Sequence, residues 1–520
     1  MMNRFFGGTL FLILLSLIFG CKKTSDTNDL IELRFQENEI SLSSEPGAAS
    51  FTIIWKNTEW EIQTVSEGFL SNFNFLKGGS FTHNSSTRVE FKVSENLTSS
   101  ERSQIITLKN VLTGESTEFT VKQAVKPPVI LKINSNLSYQ NITGFGGMLN
   151  PALWQGGNQL TTNEIDQLYG TNGLGYKMLR MMIYPNSNDW SRDLAIAKKA
   201  QSLGVRIFAS PWSPPAHMKS SKQQGGGNRG YLLPEYYEDY AKHLNAFVDY
   251  MTANGVTIEA VSIQNEPDWD PDYDACVWTG QQILNFIKNH GKDIKVKIIA
   301  AEAVNFKKEY TDSVLQDPVA REHLDIIGTH LYGGGIGDYP LARQYNKEIW
   351  MTEHLMNNNN ANDWSWNDAL VFGKELHGCM EANFNAYIWW YLKRHYSMIG
   401  DGEHGTTKGQ IMHRGYVLSH YAKYATGRRR IAVDKITNNA NVFITAYEGV
   451  NDVTLVVQNQ SDTVIPALQF DLPVTANSAS AEESTATKSM QVAPISVSAN
   501  KQAITCSLQA KSIISIRINK

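Results

Sequence analysis

Between residues 31 and 125 apolar and polar residues alternate in short runs, among them Phe51-Thr-Ile-Ile-Trp55, Val89-Glu-Phe-Lys-Val93, Ile105-Ile-Thr-Leu108 and Glu118-Phe-Thr-Val121. A period of two is the mark of a strand with one face buried. Pro46-Gly47, Gly78-Gly79, Asn96-Leu-Thr-Ser-Ser100 and Thr113-Gly114 separate the runs with turn residues, so residues 30–125 predict an all-β sandwich. Lys126-Pro127-Pro128 reads as a stiff linker, and beyond it the pattern changes. Apolar runs at 142–147, 178–183, 206–212, 260–266, 297–302, 325–330, 348–353 and 386–390 now alternate with helical spacing. In 235–254, for example, Tyr237, Tyr240, Ala241, Leu244, Phe247, Val248 and Met251 recur on one helical face, and Gly255 ends it. Eight such units predict an α/β fold, a (β/α)8 TIM barrel over 142–425. After Tyr424 the alternation stops, and β-type runs at 442–446, 453–457 and 513–516 predict a side β-sandwich over 426–520. Its first strand is expected within 126–141, at 129–133. No internal repeat is present, and low complexity is limited to the asparagines at 357–360.

The N-terminus follows another pattern. Arg4 precedes an apolar run over 10–19 that is too short to span a bilayer and ends Leu17-Ile-Phe-Gly-Cys21. This resembles a bacterial lipobox, which implies a signal peptide at 1–20, lipid on Cys21 and a polar tether over 21–29. An outer-membrane lipoprotein is expected, at the cell surface, with the periplasmic face left open. The 520 residues carry a net charge of −4, so no global field favours nucleic acid. Aromatics make up 10% of the chain, with 12 Trp, which suits stacking on sugar rings or bases. Cysteines at 21, 276, 379 and 506 are too scattered for a disulfide framework or a CxxC metal site. With Cys21 lipidated, Cys276, Cys379 and Cys506 allow at most one disulfide. No metal and no cofactor is implied, and a monomer is expected.

The chemistry lies at strand ends, where βα barrels carry their catalytic groups. The fourth and seventh runs end Ser262-Ile-Gln-Asn-Glu266-Pro and Trp350-Met-Thr-Glu353-His. Strands four and seven face each other across the mouth, so the two glutamates meet the need of glycoside cleavage for an acid and a nucleophile. His330 and His354 adjoin strand ends as hydrogen-bond partners of the catalytic groups, not as metal ligands. Gly225-Gly-Gly227 reads as a flexible loop and Arg428-Arg-Arg430 as a solvated turn.

The segments Ile142-Thr-Gly-Phe-Gly-Gly147, Phe208-Ala-Ser-Pro-Trp-Ser-Pro-Pro215, Ser262-Ile-Gln-Asn-Glu-Pro-Asp268, Gly328-Thr-His-Leu-Tyr-Gly333, Ile349-Trp-Met-Thr-Glu353, Tyr387-Ile-Trp-Trp390 and His413-Arg-Gly-Tyr416 together resemble glycoside hydrolase family 30, subfamily 8, the glucuronoxylan endo-β-1,4-xylanases. The resemblance implies xylan as the partner, Glu266 as general acid/base and Glu353 as nucleophile of a retaining mechanism. It also implies Asn265 on the sugar 2-hydroxyl, and Trp212, Tyr332 and Trp390 around the reacting xylose. In Trp390-Tyr-Leu-Lys-Arg394-His-Tyr396 it assigns Arg394 and Tyr396 to a glucuronate side chain. The family's Tyr and Ser partners after the nucleophile are replaced by Leu355 and Asn358, of which only Asn358 can donate a hydrogen bond. A xylanase without glucuronate dependence, another family 30 β-glycanase and a non-catalytic glycan-binding lipoprotein are the alternatives. Lys393-Arg394 argues against a neutral glucan or glucosylceramide, and the glutamate pair against mere binding. Residues 30–125 resemble a BACON domain through Trp60, the turn from Asn96 to Arg102 and Val121-Lys-Gln123, which implies carbohydrate binding or a spacer. Trp55 and Trp60 are open to either a core or a sugar-platform role.

Overall fold

The computed structural model describes residues 30–520 apart from 64–67, 99, 226, 357–363 and 438. The leader, Cys21, the tether and Asn358 lie outside the described residues. Among those described, no helix is long and apolar enough to cross a membrane. The chain divides into two compact units, Met1–Lys126 and Pro127–Lys520.

In the first unit seven strands form one sheet, built around the long pair Gly47–Gln63 and Lys77–Val93. Alternation along these strands sends Phe51, Ile53, Val89, Phe91, Ile106, Phe119 and Val121 into a common core. Trp60 is buried there, and Trp55 is buried with its indole N–H donating to Thr87 Oγ1 at 3.1 Å. Both tryptophans are therefore core residues, not a platform. The turn that begins at Asn96 is tied down by Asn96 Nδ2 donating to Ser100 O and Ala124 O, each at 2.9 Å.

The second unit holds a closed barrel of eight parallel strands. They are β1 (Gly144–Met148), β2 (Met178–Ile183), β3 (Arg206–Pro211), β4 (Ala260–Ser262), β5 (Lys297–Ala303), β6 (Ile326–His330), β7 (Glu348–Glu353) and β8 (Ala386–Tyr391). Met178, Phe208, Ala260, Ile299, Ile326, Trp350, Ala386 and Ile388 fill its interior as one cluster, a packed core and not a pore. β1 and β2 approach so closely that a Cβ on Gly146 would sit 1.7 Å from Met178 O. The helix Tyr237–Ala253 buries Tyr237, Tyr240, Ala241, Leu244, Phe247, Val248 and Met251, the face read from the sequence, and Gly255 follows at φ 78°.

β4 is shorter than its apolar run. After Ser262 the chain leaves the ladder: the Gln264 side chain donates to Trp212 O and Asn265 O at 2.8 Å each, and Glu266 takes a left-handed φ of 48°. The register of β5 against β6 slips between Ala301 and Ala303, a bulge in which Glu302 lies at φ 55°.

A ten-stranded sheet completes the unit. Its N-terminal strand, Val129–Asn141, runs past the expected 129–133, because the polar residues after Ile133 continue pairing with Arg429–Val433 through two register shifts. The helix His413–Tyr424 is buried between barrel and sheet, and His420 bonds Ser515 Oγ at 2.8 Å and Ser484 Oγ at 2.9 Å. Cys276, Cys379 and Cys506 are buried and free, so none of them is paired.

Candidate active site

The carboxylates meet as the strand ends require. Glu266, Glu353 and His330 each offer a ligand-type atom, and the three lie within 4.8 Å of one another. Around them opens a cavity of about 760 Å3, lined by Trp154, Gln155, Trp212, Trp269, Tyr273, Val304, Tyr332, Leu355, Trp390 and Tyr391 as well as the two glutamates. Trp212 stands at 5.8 Å from Trp390 and edge-on to Trp154 at 5.4 Å between ring centroids. Flat aromatic walls over two acids suit a sugar chain.

The two glutamates sit in unlike surroundings. Burial pushes the Glu266 carboxyl up to about 7, with Asp268 and Glu302 adding repulsion and Arg180 opposing it. Its hydrogen-bond partner is His330, whose Nδ1 lies 3.0 Å from Oε1. Burial also drives His330 down to about 4, so at neutral pH the ring is uncharged and supplies no cation that would strip the proton from Glu266. Burial raises Glu353 too and leaves it above its usual range, with a cation in direct contact to oppose it: Arg180 Nη1 donates to Oε2, and Tyr332 Oη donates to Oε1 at 2.9 Å. Glu353 is thus the carboxyl with a buried cation in direct contact, and Glu266 the one pushed up beside an uncharged ring.

Arg180, fully buried on β2, organises this difference. Its Nε donates to Ser210 Oγ at 3.1 Å, and Nη2 donates to Asn265 Oδ1 at 2.7 Å and Glu302 Oε1 at 3.1 Å. Burial works against the Glu302 charge, yet Arg180, His330 and the hydroxyls of Ser262 and Thr352 leave that carboxyl below its usual range. With Asn265 Oδ1 engaged, the amide NH2 of Asn265 is the group left to donate toward a ligand. Sequence reading missed Arg180 and Glu302. The signal was present in β2, where Arg180 is the one charged residue of Met178-Leu-Arg-Met-Met-Ile183.

The structure brings Glu266, Glu353, Asn265, Trp212, Tyr332 and Trp390 together and places other expected residues elsewhere. Arg394 is not in the cavity wall. It stands behind Gln155, to whose Oε1 it donates at 3.0 Å, and it is paired with Asp401 at 3.2 Å and Glu403 at 3.5 Å. Tyr396 is buried below it, 5.9 Å from guanidinium to ring centroid. Lys393 is buried and ion-paired with Glu164 at 2.7 Å, so it cannot meet a substrate. His354 bonds Glu375 at 2.7 Å and so props the wall instead of bonding Glu266 or Glu353.

A parallel βα barrel whose mouth holds two buried glutamates, one of them cation-paired, among stacked aromatics has the site of a glycoside hydrolase. The comparisons make that class particular. The chain belongs to glycosyl hydrolase family 30, whose TIM-barrel domain model matches residues 167–374. It is 38% identical over 341 residues to the glucuronoxylanase XynC of Bacillus subtilis (strain 168), covering 64% of this chain and 78% of that one. The solved subfamily 8 xylanase Xyn30A of Clostridium acetobutylicum is similar with a TM-score of 0.69 and 34% identity, over 75% of this chain and 99% of that one. A family 30 endoxylanase from Clostridium papyrosolvens C71 follows at 0.65 and 32%, over 75% and 100%.

Proposed function

We propose that this chain is a retaining endo-β-1,4-xylanase. The observation that carries the reading is the approach of the Glu266 and Glu353 carboxyl groups, with oxygens within 4.8 Å, in unequal electrostatic settings. A retaining pair stands roughly 5–5.5 Å apart, too close for a water to attack between them. Glu353, ionised beside Arg180, attacks the anomeric carbon while Glu266 gives its proton to the leaving oxygen. Glu266, now a carboxylate, takes a proton from the water that cleaves the glycosyl ester. Asn265 donates to the 2-hydroxyl as positive charge develops on the ring. Xylan as substrate is supported by the names of the relatives at 38% and 34% identity. The lipobox-like run ending at Cys21 supports attachment to the outer membrane.

Glucuronate direction has less support from the geometry. Two carboxylates already face Arg394, so a third, from a substrate, enters a site with no cationic excess, and Leu355 offers it no hydrogen bond. The reading adopted is therefore backbone cleavage without dependence on the substituent. The XynC relationship favours the other reading, in which glucuronate displaces Glu403 from Arg394. Mass spectrometry of a limit digest of glucuronoxylan separates them. Scattered substituent positions and an unchanged pattern in Arg394→Ala are expected. Substituents at one fixed distance from the new reducing end, lost in Arg394→Ala, would establish glucuronate direction instead. No cleavage of either decorated or linear xylan would end the xylanase reading.

A further inference from the structure

Past the end of β8 the chain makes a tight excursion that the hydrolytic chemistry does not use. Residues 393–411 are pinned by bridges from Lys393 to Ile399 and from Ile399 to Ile411. Within them a turn runs between Gly402 at φ 93° and Gly405 at φ 80°, closed by Glu403 N donating to Asp401 Oδ1 at 3.0 Å and Thr406 Oγ1 donating to Glu403 O at 2.8 Å. The fold of this turn sets Glu403 and His404 against His395, which is buried at the foot of the loop. The imidazoles of His395 and His404 lie only 4.0 Å apart between centroids. One ring nitrogen from each histidine and a Glu403 carboxylate oxygen fall within 4.8 Å of one another.

A divalent ion turns this arrangement to advantage, using neutral ring nitrogens and one carboxylate. We propose that His395, Glu403 and His404 form a zinc site, with a fourth position open to water. The donor set is the two-nitrogen, one-oxygen set that suits zinc and excludes magnesium and calcium, which take all-oxygen shells. Tetrahedral ligands at zinc distances stand about 3.3 Å apart, so the turn between the two glycines need only tighten. Local charge agrees. Asp401 pairs with the Arg394 guanidinium, and Glu403 is the second carboxylate on that guanidinium, so the ion competes with Arg394 for one group while Asp401 holds the other.

The role assigned is a staple that locks the turn between Gly402 and Gly405 onto the foot of the loop after β8. The test is calorimetric titration of the full, chelator-stripped chain with zinc chloride, with cobalt(II) absorbance as the second readout. One equivalent should bind with a dissociation constant on the order of 1 µM or below, and bound cobalt should give the strong visible band of a tetrahedral site. His404→Ala alters an exposed side chain outside the catalytic cleft, so it should fold and hydrolyse linear xylan normally. It should bind zinc about tenfold more weakly or worse, and Glu403→Gln should follow it. Glu353→Gln, which dismantles the other cluster of possible ligands, should leave zinc affinity unchanged. No binding by the wild-type chain at about 100 µM zinc, or equal affinity in His404→Ala, would overturn the site. Binding lost in Glu353→Gln but kept in His404→Ala would do so as well, by placing the ion on the catalytic cluster.

Discussion

At the scale of single residues, the site works by giving similar carboxyls different company. Glu266 holds a proton to about pH 7 when folded and to about 4.5 when free. The folded chain therefore binds the extra proton in that window. Stability contributed by this group is present below about 4.5, falls as pH rises toward 7, and falls no further above it. Glu266→Gln should thus gain on the order of 2–3 kcal/mol over the wild type at pH 8 and little at pH 4, as read by urea denaturation at both. The same variant should hydrolyse xylan about 10²- to 10⁴-fold more slowly while sparing an aryl xyloside whose leaving group needs no proton. Equal losses on both substrates would mean that Glu266 is not the proton donor. Arg180→Met leaves Glu302 and Glu353 buried without their cation, a loss of about 3–5 kcal/mol that should shrink toward pH 5 as the carboxyls take up protons. Denaturant midpoints at pH 5 and pH 8 measure it. Arg180 itself was legible only as an oddity, since apolar periodicity shows that a strand is buried but not that its one charge is satisfied by residues up to 173 positions away.

At the scale of elements, strand positions were legible because each buried parallel strand is a short apolar run, and β2 and β7 match their runs end to end. What was not legible is where strands stop being ladders. The bulges beside Glu302, His330 and Trp390 and the early end of β4 arise from contacts between distant segments, and they are what aim side chains into the cleft. The same blindness applies to Arg394, placed by motif at a substrate subsite but held by Asp401 and Glu403, seven and nine residues further on in a loop with no periodicity to read. The β1 and β2 pair offers a direct test of packing. Gly146→Ala drives a methyl into the Met178 carbonyl and should cost at least about 3 kcal/mol, whereas Gly157→Ala, with open space around it, should change the melting midpoint little.

At the scale of the whole molecule, the division after Lys126 predicts that residues 127–520 alone hydrolyse soluble xylan with kcat/KM within about twofold of the full chain. A larger drop in steady-state assays would show that the first unit contributes to catalysis. Within the second unit, the strand Ser512–Asn519 pairs along its whole length with Asp452–Asn459 on one side and, from Ile513 on, with Ser478–Ser484 on the other. These residues therefore occupy the interior of a sheet. Without them, two strand edges lie open and the places of Ile513, Ile514, Ile516 and Ile518 stand empty. A stop codon at 511 should accordingly send the product to the insoluble fraction with Glu266 and Glu353 intact, so the genetic vulnerability of this hydrolase extends to codons far from its cleft.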